Sequence, residues 1–170
     1  NRIMIKMSEA APQFAQTFAE TISRYFSPDM VSVIIGEVEI AQAFSQLPFD
    51  HLLYTGSTAV GKKVMAAAAP NLTPVTLELG GKSPVVVLEG ANLENAVNRV
   101  MMGKTLNAGQ TCIAPDYVLI PRRYHEEFIR LAKEWMEKHY PKIADNPDYS
   151  HIIKGAQFKR VQGYLDGLAG

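Results

Sequence analysis

Cys112 is the only cysteine in the chain, and it sits in Asn107-Ala-Gly-Gln-Thr-Cys-Ile-Ala-Pro115, a stretch with too little bulk to be core. Thirty-four positions earlier (112 − 78 = 34), Glu78 interrupts the run Pro74-Val-Thr-Leu-Glu-Leu79 and is followed at once by Gly80-Gly81. A thiol can attack an electrophilic carbon and a carboxylate can take a proton from water, so the pair suits covalent catalysis at one shared site. Each residue also has a plainer reading. Free cysteines are usually small buried apolar groups, although Gln110-Thr111 and Ala114-Pro115-Asp116 are not core-like flanks. Glu78 alternates with Val75, Leu77 and Leu79, which would put it on the polar face of a half-buried strand. The glycine pair favours chemistry, because open backbone beside an acid leaves room for substrate or water.

Two further groups could hold a ligand. Gly56-Ser-Thr-Ala-Val-Gly61 follows a strand signal and opens a helix. Glycines there let the backbone approach a ligand, and the N–H groups of a helix start attract phosphate oxygens. The spacing is not G-x-G-x-x-G, so by itself it fits an ordinary βα turn equally well. Lys6 and Glu9 follow the first strand, where an ammonium and a carboxylate could hydrogen-bond the hydroxyls of a nucleotide sugar. Taken alone, a solvated lysine and a helix-start glutamate describe them better. His51, His125, His139 and His151 share no ligand spacing, so a zinc site is not expected.

These residues sit in an alternation of strands and helices. Strands are expected at residues 3–6, 31–35, 51–55, 74–79, 84–88 and 117–120. Helices are expected at 10–25, 37–46, 62–69, 92–106, 124–139 and 158–168, the last trailing into Ala169-Gly170. Phe14, Phe18, Ile22 and Tyr25 recur as a helical stripe along the first helix. Asn92 is placed to cap the fourth. Pro84-Val-Val-Val-Leu88, apolar throughout, reads as a strand covered on both faces. The order argues for βαβ units and a mainly parallel sheet. A boundary near Gly80-Gly81 divides the chain into residues 1–79 and 80–170.

Composition narrows the class. Seventeen basic and seventeen acidic residues cancel, which gives no electrostatic footprint for nucleic acid. No apolar run approaches the ~20 residues of a membrane span. One cysteine allows no internal disulfide and fits a reducing cytoplasm. The first and last residues read as cuts through elements, so an internal piece of a longer chain is expected.

Four segments together resemble the aldehyde dehydrogenase superfamily: Ile5-Lys-Met-Ser-Glu9, Tyr54-Thr-Gly-Ser-Thr-Ala-Val-Gly61, Leu77-Glu-Leu-Gly-Gly-Lys-Ser-Pro84 and Gly109-Gln-Thr-Cys112. Cys112-Ile-Ala-Pro-Asp-Tyr117 looks like the coniferyl, aromatic and fatty aldehyde branch. The resemblance implies an α/β fold, with residues 1–79 as part of an NAD(P)-binding domain and 80–170 opening the catalytic domain. It implies that Cys112 attacks an aldehyde carbonyl and that Glu78 activates water to release the acid. NAD or NADP would lie over Gly56, Ser57, Thr58, Val60 and Gly61, with Leu79 also in contact and Lys6 and Glu9 on the adenosine ribose. Met7 departs from the family's usual proline. The family's oxyanion-holding asparagine would precede Asn1, and a glutamate for the nicotinamide ribose would follow Gly170, so the 170-residue chain alone is expected to be nearly inactive. Bare strand edges are expected to drive association between copies. A CoA-acylating relative and a non-catalytic nucleotide-binding module are the competing readings.

Overall fold

The computed structural model describes residues 1–168, so the tail at Ala169 and Gly170 lies outside the described residues. The chain divides into two compact units, Asn1–Leu79 and Gly80–Gly170.

The first unit holds two βαβ crossovers in series. Strand β1 (Ile3–Lys6), helix α1 (Pro12–Tyr25) and strand β2 (Val31–Ile34) form one. After helix α2 (Val38–Ser45), strand β3 (Leu52–Gly56), helix α3 (Thr58–Ala68) and strand β4 (Val75–Leu79) form the other. Strands β1 and β2 pair in parallel from Ile3 opposite Val31 to Lys6 opposite Ile34. Strands β3 and β4 do so from Leu52 opposite Val75 to Gly56 opposite Leu79. Parallel neighbours need a long crossover, and a helix supplies one each time. Leu52, Val64 and Ala68 form the buried cluster, with Phe44, Phe49, Tyr54 and Val75 packed against it. The rings of Phe44 and Phe49 lie 4.9 Å apart and close its side.

The second unit repeats the scheme. Strand β5 (Ser83–Val86), helix α4 (Leu93–Thr105) and strand β6 (Pro115–Leu119) make a third crossover, with β5 and β6 parallel. Helices α5 (His125–His139) and α6 (Gly155–Asp166) follow. Asn92 caps α4, its Oδ1 accepting from the Asn95 N–H at 2.9 Å. Val87 and Val97 are buried. Trp135 of α5 donates its indole N–H to Asn98 Oδ1 of α4 at 2.8 Å, which fixes how the two helices meet.

Alternation and parallel pairing are as expected. Among the described residues hydrogen bonds join the strands two by two, in three parallel ladders. Strand β5, however, is not covered on both faces. Val86 is 61% exposed and Leu88 beyond it 71%, so an apolar sequence here marks a face this chain does not itself cover. Helix α3 begins at Thr58, four residues before the glycine-free pattern suggested, because Ser57 caps it and Gly61 falls inside it. Helix α6 begins at Gly155 where apolar periodicity placed the start at residue 158. Among the described residues no helix is long and apolar enough to cross a membrane.

Candidate active site

At the end of β1, Lys6 Nζ and Glu9 Oε2 lie 3.5 Å apart, both side chains largely withdrawn from solvent. The strand's pairing runs one residue further than β1 itself, since the Met7 N–H donates to the Ile34 carbonyl at 3.0 Å. Proline has no N–H and could not make that bond. The Met7 N–H thus extends the ladder past β1, and the pair Lys6–Glu9 is presented from the strand end.

The turn between β3 and α3 gathers the second group. Gly56 has φ 155°, and a Cβ there would lie 2.2 Å from the Tyr54 hydroxyl, so only glycine fits while that ring stays in place. The Ser57 hydroxyl accepts from the Val60 N–H at 3.3 Å, and the Ser57 carbonyl accepts from the Gly61 N–H at 2.9 Å. The first N–H groups of a helix have no partner within it. With Val60 served by serine, those of Thr58 and Ala59 are left to face whatever lies ahead of α3, at the positive end of its dipole. Gly61 lets the helix settle on β4, for a Cβ there would come within 3.0 Å of a Leu79 methyl. Gly56, Ser57, Thr58, Val60, Gly61 and Leu79 are thus one local assembly. Its donor set, backbone amides behind glycine, fits the phosphates of a dinucleotide, and the Lys6–Glu9 pair fits a sugar diol.

Glu78 lies opposite Thr55 in the register of β4 and points, with Thr76, to the exposed face of the strand. Inward and outward residues alternate along β4, so the carboxylate is not excluded by the strand. Among the described residues no hydrogen bond or ion pair engages it. The residue after the strand, Gly80, has open space where a Cβ would be.

Cys112 belongs to the second unit. It is exposed and occupies the turn that leads into β6, closed by the Ala114 N–H donating to the Thr111 carbonyl at 3.2 Å. The approach to the turn is unusual backbone. Asn107 (φ 51°) and Ala108 (φ 55°) are left-handed, and Gly109 (φ 73°) follows them. Non-glycine residues resist that conformation and keep it only where surroundings impose it. Gly81 runs beside the turn: a Cβ on it would sit 3.6 Å from the Cys112 carbonyl oxygen, leaving the approach to the cysteine backbone open. Lys82 Nζ lies 2.7 Å from Asp116 Oδ1, tying the glycine segment to β6. That ammonium holds the Asp116 carboxyl below the usual carboxylate range, against partial desolvation and with weaker help from Lys104.

The side chain of Gln110 reaches furthest. Its Nε2 donates to the Asn107 carbonyl at 2.9 Å and to the His151 carbonyl at 3.1 Å, and its Oε1 accepts from the Ile153 N–H at 3.0 Å. Sequence reading missed Gln110, Lys82 and Asp116. The bonds of Gln110 span 41 and 43 positions, and nothing in the local spacing points to them. No group of three His, Cys, Asp or Glu side chains able to hold a metal occurs among the described residues.

The pattern has relatives. Residues 1–169 match the model of the aldehyde dehydrogenase family. The "probable coniferyl aldehyde dehydrogenase" of Pseudomonas aeruginosa is 55% identical over 166 residues, which is 98% of this chain but 35% of the relative. Among solved structures, a substrate-bound state of AldH from Staphylococcus aureus superposes with a TM-score of 0.89 at 40% identity, covering 98% of this chain and 36% of that one. The aldehyde dehydrogenase of Mycobacterium tuberculosis, complexed with NAD+, superposes at 0.85 and 31% identity over 97% of this chain and 35% of its own. The chain thus spans about a third of the length of the proteins it matches.

Proposed function

The chain belongs to the aldehyde dehydrogenase family, and on that premise we propose that the protein containing it oxidises an aldehyde to the carboxylic acid through a thioester on Cys112. The observation that carries this reading is the exposed thiol in a tethered turn, with glycine backbone beside it. The Cys112 thiolate adds to the aldehyde carbon, forming a C–S bond and a thiohemiacetal. Gly56, Ser57 and the free amides at the start of α3 would hold NAD or NADP, which would supply the two-electron acceptor that conversion of the thiohemiacetal to the thioester requires. Glu78 then accepts a proton from water, the oxygen adds to the thioester carbon, and the C–S bond breaks to give the acid and regenerate the thiolate.

The amides at the start of α3 and the close approach at Gly56 suit the pyrophosphate. Lys6 and Glu9, held 3.5 Å apart, suit the adenosine ribose. The complex of the Mycobacterium tuberculosis relative with NAD+ supports a nicotinamide dinucleotide in general. The name of the Pseudomonas aeruginosa relative supports an aromatic aldehyde of the coniferyl type, with fatty aldehydes next.

The 170-residue chain by itself should turn over aldehyde poorly, because its thiol and carboxylate both stand in solvent, where developing charge is weakly stabilised. It should also associate with itself, since Leu53, Val86 and Leu88 expose large apolar surface beside unpaired strand edges. Cytoplasmic residence is proposed on the lone free thiol.

Rapid mixing of the natural full-length protein with cofactor and coniferyl aldehyde tests the chemistry. Glu78→Gln should give a burst of about one equivalent of reduced cofactor, followed by turnover slowed roughly 10²–10⁴-fold. Steady turnover at the native rate in that variant would remove Glu78 from the mechanism.

A further inference from the structure

Gln110 stands two residues before Cys112 (112 − 110 = 2) and is itself exposed, so its value lies in its bonds and not in packing. One carboxamide donates to the His151 carbonyl and accepts from the Ile153 N–H, both partners lying on a segment that is neither helix nor strand. A donor and an acceptor offered to residues two apart imitate the edge of a strand. The same Nε2 also donates to the Asn107 carbonyl, the first of the left-handed residues. We propose that Gln110 is a positioning residue for thioester formation: its carboxamide splints the Cys112 turn to residues 151–153 and so fixes the direction from which sulfur attacks.

The inference rests on Cys112 being the nucleophile. Its physical ground is that two successive left-handed residues need outside restraint. The backbone supplies two short bonds here, from the Gln110 N–H to the Asn107 carbonyl at 3.1 Å and from the Ala114 N–H to the Thr111 carbonyl at 3.2 Å, and neither reaches beyond the turn. Without the carboxamide, Asn107 and Ala108 can relax toward ordinary backbone and carry the turn with them. A displacement of about 1 Å at a reacting atom is enough to cost on the order of 10² in rate.

The test uses the natural full-length protein, wild type against Gln110→Ala, Gln110→Glu and Cys112→Ala. The readouts are the burst rate of reduced cofactor, the KM for cofactor and the hydrogen exchange of the Ile153 amide. Gln110→Ala should slow the burst about 10–100-fold while the cofactor KM changes less than about twofold, and Ile153 should exchange faster. Gln110→Glu keeps an acceptor for Ile153 but sets carboxylate against the Asn107 and His151 carbonyls, so Ile153 stays protected while the burst still slows. A burst within twofold of wild type in Gln110→Ala overturns the splint. Should that variant fail to fold by circular dichroism, Gln110→Glu decides in its place: a burst slowed fivefold or more supports the proposal, and a smaller change overturns it. Turnover retained by Cys112→Ala would instead sink the nucleophile assignment, which the Gln110 variants do not touch.

Discussion

The glycine turn of the first unit and the cysteine turn of the second hold their backbone by different means. Between β3 and α3 every restraint is local: the Ser57 cap reaches Val60 at 3.3 Å, and Gly61 lies on the strand that α3 crosses to reach. Before β6 local bonds are joined by restraints from far along the chain, through Gln110 to His151 and Ile153 and through Asp116 to Lys82. A phosphate cradle needs only amides aimed from a helix start, which a capped helix supplies without help. The proposed nucleophile must be held in a direction that no regular element favours, and the left-handed residues before it lie beside Gln110, whose carboxamide reaches residues 151 and 153. The price of the second arrangement is dependence on the rest of the unit.

Core variants probe that contrast most strongly. Leu52→Ala in the first unit should cost about 3 kcal/mol and Val97→Ala in the second about 2 kcal/mol, read as urea midpoints of the 170-residue chain. If the glycine turn is locally built, Val97→Ala should leave the hydrogen exchange of the α3 amides unchanged. Faster exchange there would show that the first turn also leans on distant structure.

Helix caps come next. Ser57→Ala and Asn92→Ala each remove one cap bond and should each cost about 1 kcal/mol. Their consequences should differ: Ser57→Ala weakens cofactor binding in the full-length protein, whereas Asn92→Ala lowers only thermal stability. Equal effects on cofactor affinity would erase the distinction.

The smallest effect is the pH dependence of the Lys82–Asp116 tie. Asp116 is depressed below its usual 3.8, so the folded state favours the ionised form. The stabilisation is therefore full above that ordinary value and is lost as the pH falls through the lower folded value. Because the pair is exposed, the loss should be small. Asp116→Asn should flatten that part of the acid-unfolding curve, and a curve unchanged from wild type would deny the tie any role.

Legibility followed the same division. The strand–helix alternation, the Asn92 cap and the segment from Gly56 to Gly61 were readable because each depends on neighbours a few residues away. Helix α3 starts ahead of its apolar periodicity because Ser57 is the cap and Gly61 an interior contact. Glu78 was visible as an acid in an apolar run, and the alternation of β4 explains its exposed position. The apolar stretch from Pro84 to Leu88 misled, because composition reports the preference of a face to be covered and not what covers it. Gln110 was illegible. Its sequence neighbourhood is that of any polar loop residue, and its role exists only once residues 151–153 fold back to meet it.

The proposed covalent step has a direct test. The full-length protein is mixed with NAD+ and coniferyl aldehyde, quenched in acid within milliseconds, digested and weighed by mass spectrometry. The account predicts an acyl group on the peptide carrying Cys112, accumulating further in Glu78→Gln. Acid product formed while that peptide keeps its unmodified mass, or an acyl group found on another residue, would contradict it.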